Sequence, residues 1–151
     1  YKDFAYLSGP TDAFNNNHRY DGFLQALKEA DLSNHQYYQG DFTIQGGYQI
    51  GQSILALEEK PRFIFCANDE SAIGLMTALK EGHIRIPEDI AISGFDNIVL
   101  GEYTTPKLTT IGIDHVAWGK RVADAIVQIV SKQKYIDIGH PEGITVMRET
   151  C

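Results

Sequence analysis

No apolar run in this 151-residue chain approaches the roughly 18 residues needed to cross a bilayer, so no membrane-spanning helix is expected. Positive charge is also scarce. Thirteen Lys and Arg stand against 20 Asp and Glu, giving a net charge of -7. A nucleic-acid surface needs a basic face to neutralise phosphates, and an anionic membrane needs the same. Neither partner is expected for this segment. Cysteine is limited to Cys66, in an apolar run, and Cys151, at the end. That is no disulfide framework, and it fits a reducing cytoplasm. Cys66 reads as a small buried hydrophobe. His18, His35, His83, His115 and His140 include no i, i+4 pair, so no zinc site is expected. No EF-hand loop and no Gly-x-Ser-x-Gly elbow occurs, and Gly46-Gly47 lacks the Gly-Lys-Ser/Thr of a phosphate loop. No metal or cofactor is implied. The opening Tyr1-Lys2-Asp3-Phe4 reads directly as a strand pattern, so no secretory leader is expected there.

What is present suits a globular α/β unit. Hydrophobic residues make up 43% of the chain and charged residues 22%, enough apolar content for a core in one domain or lobe. Phe4–Ser8 is a short apolar run stopped by Gly9-Pro10. Tyr20, Phe23, Leu24 and Leu27 fall at helical spacing, predicting a helix from about Asn17 to Ala30 with cap residues among Asn15 to Asn17. Tyr37–Phe42 reads as a second strand. Thr43 is placed to cap a second helix, which Pro61 terminates.

The most informative stretch runs from Phe63 to Asn97. Arg62–Ala67 is rich in aromatic and β-branched residues and predicts a strand. Asp69 is placed to cap a helix with Ala72, Ile73, Met76 and Leu79 as its buried stripe and Gly82 at its end. Ile90–Ser93 is the next strand. A β-α-β crossover makes its strands parallel and brings their C-terminal ends to one rim, where open α/β sheets bind ligands. Here those ends carry Asn68-Asp69 and Asp96-Asn97, groups that donate and accept hydrogen bonds to a hydroxyl-rich molecule. Further on, Leu108–Ile113 is extended, Asp114 caps a long helix to about Ser131, and a polar loop with Pro141 and Gly143 leads to a strand at Ile144–Met147. The alternation predicts a parallel sheet with helices on both faces.

The motifs closely resemble the ligand-binding part of the LacI/GalR family of bacterial transcriptional regulators. Leu7-Ser8-Gly9-Pro10 followed by Arg19-x-x-Gly22-Phe23 carries the resemblance first. Gly40-Asp41-Phe42, Ala67-Asn68-Asp69, Ile86-Pro87-Glu88-Asp89-Ile90-Ala91, Gly94-Phe95-Asp96-Asn97 and Thr105-Pro106-x-Leu108-Thr109-Thr110-Ile111 follow in family order and spacing. The family implies a periplasmic-binding-protein-like type I fold with two α/β lobes around an effector cleft. On that reading, residues 1–107 and 144–151 form the C-terminal lobe. Residues 108–143 form a crossover and a helix that packs in the N-terminal lobe. The first half of the ligand-binding region and the helix-turn-helix head are expected to lie outside this segment, so operator DNA is a partner only through that head. With its packing partner missing, the stripe Val122, Ile126 and Val130 should be exposed.

The resemblance also suggests site residues. Arg19 matches a cleft arginine, whose planar fork of donors suits sugar hydroxyls or a carboxylate. Asp96 matches a cleft aspartate able to accept two bonds from vicinal hydroxyls. Asn68 stands on the same rim as donor and acceptor, and Asp69 shapes the pocket as a cap. Phe42 matches an aromatic platform for a sugar face or a purine ring. Asn15 lies in a loop where family members contact effector. The plainer readings are a solvated Arg19, a turn at Asp96 and a core Phe42. Ile98, Val99, Leu100 and Tyr103, with Ile73, suggest a homodimer contact, against a local satellite core.

Asp69 and Asp96 could be a glycosidase carboxylate pair, but one would need an apolar setting, and both flank Asn in a polar one. An enzyme is not expected. Two functions stay open: a cytoplasmic regulator sensing a small effector, with a sugar first and a purine second, and a sugar-binding receptor feeding a transporter.

Overall fold

A computed structural model describes residues 3–32, 34–132, 135 and 137–151. Tyr1 and Lys2, at the start of the expected strand-like opening, and residues 133, 134 and 136 of the expected polar loop lie outside the described residues. The elements follow in the order β1 (Phe4–Leu7), α1 (Phe14–Glu29), β2 (His35–Tyr38), α2 (Ile44–Leu55), β3 (Phe63–Cys66), α3 (Asp69–Glu81), β4 (Ala91–Ser93), a 3-10 turn (Val99–Glu102), β5 (Thr110–Ile113), α4 (His115–Lys132) and β6 (Gly143–Val146). Four strands form one parallel sheet in the order β2-β1-β3-β4.

Alternation along the strands divides the core into two layers. On one face Ala5, Leu7, Ile64, Cys66 and Ile92 pack with Ile54 of α2 and with Leu75 and Leu79 of α3. On the other, Tyr6 and Phe65 meet Phe23 and Leu27 of α1. Helices therefore cover both faces, as the alternation requires. Gly46-Gly47 has a packing role. A Cβ on Gly47 would stand 2.0 Å from Ser71 O, and one on Gly74 would stand 1.9 Å from Ile44 O. Glycine at both sites lets the backbones of α2 and α3 touch. Both cysteines are free, and burial pushes the Cys66 thiol up. Among the described residues, no helix is long and apolar enough to cross a membrane.

Three expectations need correction. The last β-α-β unit does not join the parallel sheet: β5 and β6 form a separate antiparallel pair. The segment leading into β5 meets β4 at the Ser93–Thr109 bridge, and β5 then bonds the loop past the end of β4. After α4 the chain returns through β6 in the opposite sense, so no crossover onto the sheet is made. The second strand is His35–Tyr38 and stops short of Phe42, because Phe42 adopts φ 69° and no strand continues through that conformation. Helix α1 begins at Phe14 with Ala13 at its cap, not within Asn15–Asn17. Asn16 is instead buried in the first turn, where its Oδ1 accepts from the Gly9 N–H at 2.8 Å.

The expected caps at Thr43 and Asp114 are formed. Thr43 accepts from Gly46 N–H at 2.9 Å, and Asp114 accepts from Ala117 N–H at 2.9 Å. Helix α4 exposes Val116 (84%), Ile126 (56%), Val127 (66%) and Val130 (75%). Val122 is half-buried.

Candidate functional site

The ends of β1, β3 and β4 reach one rim, and the loops that follow them build a wall. At the end of β3, Asn68 is extended (φ -150°, ψ 167°), and its Oδ1 accepts from Ser71 N–H at 3.1 Å. Asn68 is therefore the N-cap of α3, not Asp69. Both residue types can cap, and the backbone turn happens at the first of them. The Asn68 amide also donates to Phe42 O at 2.8 Å, joining the loop before α2 to the start of α3.

Asp69 lies one position further in and is fully buried. Its carboxylate accepts from Ile98 N–H at 2.8 Å and from the Thr110 hydroxyl at 2.6 Å. Burial raises its pKa, and those two bonds work against the rise. Gly94 is required beside it, since a Cβ there would meet Asp69 Oδ1 at 2.1 Å. Past Gly94 the backbone turns through φ 107° at Asp96 and 52° at Asn97. Asp and Asn tolerate this left-handed territory better than other side chains, though at a cost.

Arg19, in the second turn of α1, reaches across to this loop. Its guanidinium lies 3.9 Å from the Phe95 ring centroid. Nη1 donates to Ala67 O, and Nη2 donates to Asp96 Oδ1 at 2.8 Å. The arginine side chain is 16% exposed and the aspartate side chain 41%. Arg19 thus ties the end of β3 to the loop after β4, and is not the solvated residue of the plainer reading. Desolvation raises the Asp96 pKa, and the Arg19 charge pulls it back down. Phe42 packs its ring over Gly9 and against the layer of Tyr6, Phe23 and Ala67 while also facing the rim. Phe42 thus packs on the core and lines the rim at once.

Asn15, Arg19, Phe42, Asn68 and Asp96 surround one open cavity of about 240 Å³, completed by Glu70 and Ile98. Five of the six expected effector residues come together, and the buried Asp69 does not line the cavity. Sequence reasoning missed Glu70, an acid in the first turn of α3. It also missed Phe95 beneath Arg19. Ile98, assigned to a dimer contact, stands half-buried at the cavity wall. Val99 (70%), Leu100 (48%) and Tyr103 (77%) are exposed on and beside the 3-10 turn. Ile73 is half-buried against the core and lines a groove with Thr104 and Thr105. A larger groove of about 420 Å³, with Leu24, Leu27 and His35, lies at the opposite end of the strands, away from these groups.

This rim and its two-layer sheet are those of a periplasmic binding protein-like domain, and the model of that family matches residues 1–151. The chain belongs to this family, as part of the effector-binding domain of its LacI/GalR branch. It is 32% identical over 148 residues to the HTH-type transcriptional repressor PurR of Mannheimia succiniciproducens, covering 94% of this chain and 44% of that protein. A sugar-binding transcriptional regulator of the LacI family from Escherichia coli, complexed with phosphate, superposes with a TM-score of 0.90. It is 23% identical, and the match covers 99% of this chain and 55% of that one. A dimeric Lac repressor with a C-terminal deletion gives a TM-score of 0.86 at 25% identity, with the same coverage. The chain spans about half the length of the relatives it matches.

Proposed function

We propose that this chain forms one wall of the small-molecule sensor of a LacI-type transcriptional regulator, a repressor like its named relatives. The observation that carries the reading is the Arg19–Asp96 pair, held at 2.8 Å on the rim beside the Phe42 ring. Arg19 takes one Asp96 oxygen, and the carboxylate lines the cavity as an acceptor for ligand hydroxyls. Asn15 adds a donor, Glu70 a second acceptor, and the Phe42 ring a surface for sugar C–H groups. A sugar uses all of these at once. A purine is the second reading: its ring would stack on Phe42, and its N–H and C=O groups could pair with Asp96, Glu70 and Asn15.

Residues 1–107 and 144–151 then belong to the C-terminal lobe, with α4 and its crossover packing in an N-terminal lobe. The exposed Val116, Ile126, Val127 and Val130 support that division. An effector bound between two lobes prefers one arrangement of them, and that bias passes to an operator-binding head outside this segment. Exposed Val99, Leu100 and Tyr103, continuing toward Ile73, are the surface for a homodimer in the cytoplasm. The repressor names of the relatives favour this reading over a transporter receptor and over an enzyme.

Thermal unfolding of the full-length protein against sugars, sugar phosphates and purines tests the proposal. A ligand at about a hundred times its Kd adds about 2.7 kcal/mol of stability. The expected result is a shift with one sugar class, lost in Asp96→Ala and in Arg19→Ala. A shift that survives both substitutions, or no shift across the panel, contradicts it.

A further inference from the structure

The loop from Gly94 to Ile98 presents Asp96 in a backbone conformation that does not support itself, with φ 107° and 52° at successive residues. Something outside the loop must hold it. Asp69 is not the helix cap, since Asn68 fills that role, and it does not line the cavity. A buried carboxylate costs free energy unless both oxygens are hydrogen-bonded. Each oxygen of Asp69 goes to a different segment. Oδ2 takes Ile98 N–H at 2.8 Å, at the far end of the loop. Oδ1 takes the Thr110 hydroxyl at 2.6 Å, at the start of β5. Strand β5 grips the loop again through Asp96 N–H to Ile111 O at 2.8 Å and Asn97 N–H to Thr110 Oγ1 at 3.3 Å.

We propose that Asp69 is a positioning residue of the effector site, locking the Asp96 loop onto β5 so that Asp96 meets Arg19. This rests on the effector reading above. One consequence is that a ligand moving Asp96 pulls on β5, which leads directly into α4, through a contiguous hydrogen-bonded path.

The test uses amide hydrogen exchange in the full-length protein, comparing Asp69→Asn, Thr110→Val and Thr110→Ser with the parent. Losing a bond to a charged acceptor speeds local opening about tenfold or more. The amides of Asp96 and Ile98 should exchange faster by that factor in Asp69→Asn and Thr110→Val. Thr110→Ser should behave like the parent, because its hydroxyl is kept. The Leu7 and Ile64 amides of the sheet should not change. Equal acceleration in loop and sheet, or an unchanged loop, overturns the proposal. Should Asp69→Asn fail to fold, the Thr110 pair decides alone. For whichever panel compound binds, Thr110→Val should weaken affinity about tenfold and Thr110→Ser should restore it. A loosened loop with no compound bound supports the positioning role and contradicts the effector reading. A bound compound with unchanged affinity in Thr110→Val overturns the positioning role.

Discussion

Helix α3 has 13 residues and buries Ala72, Leu75, Met76, Ala78 and Leu79. Helix α4 has 18 residues and, among its described residues, buries Ala125 alone. Both sequences carry an apolar stripe at helical spacing. The stripe of α3 finds α2 and the sheet within this chain, and the stripe of α4 faces solvent. An amphipathic pattern therefore records that a face is to be covered, and says nothing of which segment covers it. The same division runs through the site. The wall built on α1, β3 and α3 is packed within this chain, while α4 leaves its apolar face open, with β5 tied back to the loop after β4.

The contrast can be broken most forcefully at Leu75. Leu75→Ala should cost about 2–5 kcal/mol by denaturant unfolding, because it opens a cavity between α3 and the sheet. A loss under about 1 kcal/mol would mean that α3 is no better packed than α4. Next comes Asn68→Ala, which removes a helix cap and leaves Phe42 O without its donor. It should cost about 1–2 kcal/mol, with the melting of α3 as the readout. Ile126→Ser on α4 should stay within about 0.5 kcal/mol in this chain. In the full-length protein it should be clearly destabilising if an N-terminal lobe covers that face. Equal and small effects in both would remove the case for the lobe boundary.

The smallest effect concerns pH. The Arg85 guanidinium and N–H bond Asp89 and hold its pKa down at about 2. A depressed carboxylate stabilises the fold above its ordinary value, near 4, and that contribution is lost as pH falls through the folded value. The Tm gap between the parent and Asp89→Asn should therefore narrow as pH drops from 4 toward 2. A gap constant over that range would contradict the pairing.

Much of this was legible from residues, for physical reasons. Phe4–Leu7, Phe63–Cys66 and Ala91–Ser93 are short apolar runs between helical patterns, and the parallel sense that β-α-β crossovers impose brings their ends to one rim. That alone gathers Asn68 and Asp96, whereas Arg19, inside α1, was singled out only by the family resemblance. The cap could not be assigned, because Asn68 and Asp69 are adjacent and both suited to it, so the choice depends on where the backbone turns. The antiparallel β5–β6 pair was not legible, because strand sense across a long connection depends on where the helix between them packs. The place of Ile98 on the cavity wall was not legible, because an apolar residue after a polar loop looks the same whether it lines a cavity or an outer surface.

The most direct test of the central claim is amide chemical-shift mapping of the full-length protein with the compound that stabilises it most. The account predicts perturbations at Asn15, Arg19, Phe42, Asn68, Asp96 and Ile98, absent in Asp96→Ala. Perturbations gathered instead around Leu24, Leu27 and His35, at the other end of the strands, would contradict it.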